Sequence, residues 1–189
     1  LFSFLGLGTI YWYLTTTFHD FSNETAKRSL NMLSESIFQT LSGSMLAGDP
    51  AVVNEAIKHA QEIDGIEKLK VQKSQEVIDL FGLDEKFSNE PMVQEVFKTK
   101  KSQVIENTNG IHTIRLLQPL IAEERCIACH TNIQVGEAIG VMDLIISLEK
   151  NDAEINKTQT ILLIALSVVV IIFVSVLNIF FGKEVLTPL

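Results

Sequence analysis

The run from Thr160 to Phe181, TILLIALSVVVIIFVSVLNIFF, contains no charged side chain. At ~1.5 Å per residue its helical length matches a hydrocarbon core of ~30 Å, and core helices of soluble domains seldom run to ~20 uncharged residues. It therefore reads as a membrane-spanning helix, taken over 160–182. The opening, LFSFLGLGTIYWYLTTTFHD, is apolar from Leu1 to Leu14 and includes the aromatic trio Tyr11-Trp12-Tyr13. Aromatic rings gather at membrane interfaces, so residues 1–17 read as a truncated first spanning helix. A cleaved signal peptide is the rival reading, and the lack of a small-x-small site after the apolar run speaks against it.

The segment between the two spans, residues 18–159, holds nearly all the charge of the chain. A total of 189 residues with 47 % hydrophobic content suits one ordinary domain plus extras. The net charge of −8 argues against a nucleic-acid partner, which would call for a basic surface. Lys183 and Glu184 cancel after the second span, so charge does not orient the chain in the membrane.

Within the segment, Leu30, Leu33, Ile37, Leu41 and Met45 recur every three or four positions, predicting a long amphipathic helix through Gly48. Gly48 suits its end. Asp49 suits the cap of a second helix over Pro50 to Ile63, with Pro50 in its first turn. From Ile66 the period shortens. IEKLKV and EVIDLF read as an antiparallel strand pair, NEPMVQEVFKTK as a helix, and SQVIEN with IHTIRLLQPL as strands flanking the hairpin signal TNG. A last strand, Ala138 to Leu148, is apolar on both faces and so belongs at the centre of a sheet. The expected class is α+β, with five antiparallel strands and a long N-terminal helix between two transmembrane helices. That order resembles PAS-like or Cache-type extracytoplasmic sensor domains over roughly residues 18–159.

Both cysteines of the chain sit in Cys126-Ile127-Ala128-Cys129-His130. C-x-x-C-H is the attachment signature of c-type haem, in which two thioethers form with the vinyl groups and the histidine ligates iron. A thioredoxin-like pair would want a βαβ context and no histidine, a zinc site would want a fourth ligand, and a disulfide across two residues is strained. One covalent haem c on Cys126, Cys129 and His130 is the expectation. Such attachment takes place outside a bacterial inner membrane, which makes 18–159 periplasmic and the domain membrane-embedded by its flanks.

From Asn107 to Ile155 the sequence is similar to periplasmic c-type haem PAS-like sensors of bacterial transmembrane signalling proteins such as chemoreceptors. In that family the C-x-x-C-H lies between the last two strands, after a Pro-Leu and acidic residues, matched here by Pro119-Leu120 and Glu123-Glu124. The resemblance implies that a methionine near the end of the first long helix can reach the iron, which makes Met45 the candidate sixth ligand. Read from the residues alone, apolar filling is the commoner fate of a helical methionine such as Met45, and Met92, Met142, His19, His59 and His112 remain candidates. Arg115 and Arg125 are candidate partners of haem propionates, and Leu116, Leu120, Ile127 and Ile133 a candidate apolar wall.

Thr187-Pro188-Leu189 resembles the start of a HAMP linker, placed at 183–189. Ser167, Ile171, Ser175 and Asn178 share a face of the second span, which predicts a homodimer through close helix approach. No catalytic constellation is evident, so no enzyme is expected. The function expected is a haem-based sensor that passes a redox signal or a gas signal (NO, CO, O2) to a cytoplasmic output. Alternatives are a membrane-anchored monohaem electron carrier that meets a redox partner, and a receptor whose ligand binds the concave face of the sheet.

Overall fold

Proline, glycine and serine set the boundaries of most elements in the central part of the chain. The computed structural model describes residues 2–46 and 48–185. These fall into two compact units, one of residues 23–149 and one of residues 2–22 with 150–185. The elements are α1 (Phe2–Leu46), α2 (Pro50–Gln61), β1 (Ile66–Lys73), α3 (Gln75–Phe81), α4 (Pro91–Thr99), β2 (Gln103–Asn107), β3 (Thr113–Ile121), β4 (Ala138–Ser147) and α5 (Glu149–Val185).

Gly48 takes φ +72° just past α1, a backbone that side-chain-bearing residues rarely adopt. Asp49 then caps α2, its Oδ1 accepting from Ala51 N at 2.8 Å. Both assignments match the sequence reading.

The sheet is α+β in its setting and fully antiparallel, in the order β1-β4-β3-β2. Among the described residues it has four strands where five were expected. The difference lies at EVIDLF, which forms α3. Ser74 Oγ accepts from Val77 N at 3.3 Å and Gly82 closes the helix at φ +57°, so a serine cap and a left-handed glycine stop bracket the run. A run of six residues fits either period, and its flanks decide.

β4 lies between β1 and β3, as its two apolar faces require. On one face Met142 and Leu144 join Ile114, Leu116 and Leu120 of β3 against Leu30, Ile37 and Leu41 of α1. On the other, Val141 and Leu117 meet Val93 and Val96 of α4. Full burial of a side chain of this size contributes about 1.5–3 kcal/mol, so the two clusters clamp the sheet between helices.

Among the described residues one helix is long and apolar enough to cross a membrane, within Glu149–Phe181 of α5. The expected first span is helical, but Thr9, Thr15, Thr16, Thr17 and Asp20 dilute its apolar run, and two spans are not borne out. In α5, Ser167 and Ser175 donate to the carbonyls of Leu163 and Ile171 at 2.8 and 2.7 Å, so these hydroxyl hydrogens are spent inside their own helix. The HAMP-like Thr187-Pro188-Leu189 lies outside the described residues.

Candidate functional site

The connection from β3 to β4 carries both cysteines. Its base is pinned by Ala122 N to Glu137 O at 2.7 Å and Gly136 N to Ala122 O at 2.9 Å, with Ala122 and Ile133 buried in the α1-side core. At its tip the carbonyl of Cys126 accepts from Cys129 N at 3.2 Å and from His130 N at 3.0 Å. That single turn carries Cys126, Cys129 and His130. Both thiols are free; Cys126 is partly buried against the core and Cys129 is exposed.

A second set of contacts fixes the loop to its surroundings. Asn132 Nδ2 donates to Glu76 O of α3 at 2.8 Å. The His130 ring meets Phe81, the last residue of α3, edge to face at 5.4 Å. Arg125 pairs with Glu123 at 2.8 Å and donates to Gln39 Oε1 of α1 at 3.3 Å. The α3 helix that sequence reasoning took for a strand is thus one wall of the loop. Asn132 was legible as a polar residue in a loop, but its partner was not.

Burial pushes the pKa of His130 below the ordinary histidine value, so the ring is neutral near pH 7, the form able to ligate a metal. Its Nδ1 is buried with no hydrogen-bond partner. Leaving such an atom unsatisfied costs about 1–3 kcal/mol.

Two free thiols on one turn, with His130 next in sequence and the half-exposed Phe81 against its ring, are the residues that would hold a covalently attached haem. Among the described residues no three His, Cys, Asp or Glu side chains form a group that could hold a metal ion.

The remaining candidates disperse. Met45 lies in the last described turn of α1, half-buried, and among the described residues no hydrogen bond, ion pair or ring contact joins it to the loop. At ~100° per residue it stands on the flank of α1 that also carries Phe38. Met142 is core, and Met92 is on α4 across the sheet. His59 sits exposed between Glu55 and Glu62 at 3.7 and 3.4 Å. His112 Nε2 meets Glu106 at 3.0 Å. The side chain of His19 lies outside the described residues.

Arg115 is not beside the loop. It lies on the α4 face, bidentate to Asp143 at 2.7 and 2.9 Å and bidentate to Glu90, with Lys68 at 3.5 Å from Asp143. Its hydrogen bonds hold the Glu90 carboxyl below the usual glutamate range, while the two carboxylates raise the guanidinium further. The propionate role expected of Arg115 is therefore corrected to an ion-pair network across the sheet, whose partners lie 25 and 28 residues away in sequence.

A second feature escaped the sequence reading. Between α1 and α2 runs an open groove of about 530 Å³, and none of its lining residues comes from the cysteine loop. Its signal was present as Ser36, Thr40 and Ser44 at every fourth position, with Glu55 and His59 four apart on the next helix.

A family model described as methyl-accepting chemotaxis sensory transducer, class 40H, sensor, matches residues 35–149, more than half of the chain. No curated protein matches it.

Proposed function

The chain belongs to the sensor family of class 40H methyl-accepting chemotaxis sensory transducers, and from that premise we propose a haem-based extracytoplasmic sensor. In this reading 18–159 is periplasmic, the chain is anchored in a bacterial inner membrane, and two copies signal as a homodimer through a HAMP linker. Membership of a sensor family favours signal transduction over the electron-carrier alternative.

The observation that supports the haem reading is a β3–β4 turn that carries two free thiols and an imidazole whose Nδ1 is buried with no hydrogen-bond partner. Cys126 and Cys129 would hold the group through thioethers, His130 would ligate its iron, and Met45 would be the sixth ligand or yield it to water. Bound there, the haem would supply an iron able to change oxidation state or to bind NO, CO or O2.

The protein's own part is mechanical. Movement at the loop acts on α3 through Phe81 and Asn132, on α1 through Arg125 and Gln39, and on β4 directly. β4 ends at Ser147 and α5 begins at Glu149, so the covalent route toward the membrane is short. A stimulus shifts such an equilibrium only by its differential affinity for the two packings, ~1.4 kcal/mol per tenfold.

The test is maturation of the full chain in a host competent for cytochrome c assembly. Intact mass should exceed that of the polypeptide by one haem, and the ferrous spectrum should shift with CO or NO. Cys126→Ala with Cys129→Ala should abolish the attachment. A colourless product with the bare polypeptide mass would overturn the reading.

A further inference from the structure

The groove between α1 and α2 has a one-sided chemistry. Its floor is Ile37 and Leu41, both buried, flanked by Ala56 and Ala60. Val52 and Ile63 also line it, and they remain 39 % and 43 % exposed, so the fold leaves apolar surface bare here. A volume of about 530 Å³ accommodates a small organic molecule.

Among the polar lining residues, Thr40, Ser44 and Glu55 present acceptors. Thr40 Oγ1 donates to Ser36 O at 2.9 Å, and Ser44 Oγ donates to Thr40 O at 2.9 Å. Each hydroxyl has one hydrogen, and here it is spent on the helix, leaving the oxygen with free lone pairs. Glu55, opposite on α2, is acceptor-only when ionised. His59 Nε2 stands 3.7 Å from it, beyond hydrogen-bond range, and that ring also faces Glu62.

An anionic ligand would meet lone pairs and a carboxylate. A ligand ammonium would find two hydroxyl acceptors on α1 and a carboxylate across the groove on α2, with the apolar floor beneath for its carbon body. We infer that this groove binds a small organic amine, its ammonium held by Glu55, Thr40 Oγ1 and Ser44 Oγ and its apolar part lying on Ile37 and Leu41. The site is separate from the haem loop, and on the sensor reading it gives the protein a second chemical input. Its existence does not depend on the haem.

The experiment is titration calorimetry on the full chain in zwitterionic nanodiscs, with empty discs as blank. The probes are 2-phenylethylamine, 2-phenylethanol and phenylacetate, which share a body and differ in charge. The amine should bind saturably and at least tenfold more tightly than phenylacetate, with the alcohol between. Glu55→Gln should weaken the amine by about five- to tenfold and leave the alcohol unchanged, and Thr40→Val should weaken the amine severalfold. Both residues are exposed, so the variants should fold. His130→Ala should retain the amine affinity. The proposal is overturned by equal binding of amine and phenylacetate, by indifference to Glu55→Gln, or by loss of amine binding in His130→Ala, which would place the amine at the haem loop.

Discussion

Replacing Arg115 with methionine should destabilise the centre of the sheet and leave haem attachment unchanged. Asp143 is 0 % exposed, and its carboxylate takes two hydrogen bonds from Arg115. Lys68 stands at 3.5 Å, half exposed, and cannot supply the planar fork of a guanidinium. Removing one partner of a buried pair costs about 3–5 kcal/mol, because the remaining charge stays out of water without compensation. Glu90 keeps a third of its side chain in solvent and adds little to that loss. At ~1.4 kcal/mol per tenfold, opening of β3 and β4 should become roughly a hundredfold to a few thousandfold more frequent. Hydrogen exchange of peptides covering residues 113–121 and 138–147 reads this directly. Arg115→Met with Asp143→Leu should recover most of the protection, since an apolar pair of similar volume is often neutral or better in place of a buried ion pair. The reasoning fails if the single variant changes protection less than fivefold, or if the double variant is no better than the single. Loss of the haem band with protection intact would instead return Arg115 to the propionates.

Three further outcomes are expected. The Glu90 pKa is lowered by the Arg115 hydrogen bond, so its stabilisation is full above the ordinary value near 4.5 and is lost as pH falls through the lowered folded value. The melting midpoint should fall in that acid window, and Glu90→Gln should flatten part of the fall; an unchanged slope would count against the pair. A Cβ on Gly140 would stand 3.0 Å from Gln72 O, so Gly140→Ala asks the β1 backbone to shift by a few tenths of an ångström and should cost about 1–3 kcal/mol. Exchange protection in residues 66–73 should drop, and equal protection would refute this. In the haem-loaded chain Met45→Ala should shift the ferric spectrum toward a water-ligated form while Met92→Ala does not, and identical spectra would remove Met45 as ligand.

Several elements were legible because their signals are local. Pro50 and Pro91 start α2 and α4, Asn109-Gly110 turns the hairpin between β2 and β3, and two apolar faces place β4 inside the sheet. The C-x-x-C-H is equally local, since three chemistry-bearing side chains share one turn. EVIDLF was misread because its few residues satisfy two periods, and Ser74 and Gly82 had to be weighed with it.

The sequence by itself determined the apolar span near the C-terminus, the α+β class and the grouping of Cys126, Cys129 and His130, all of which depend on neighbours a few positions away. Only the tertiary structure decided that Arg115 serves Asp143 and Glu90, that Phe81 backs His130, and that α1 and α2 leave an acceptor-lined groove. Those pairings join residues tens of positions apart, and sheet order and helix packing, which no local pattern encodes, choose which of them meet.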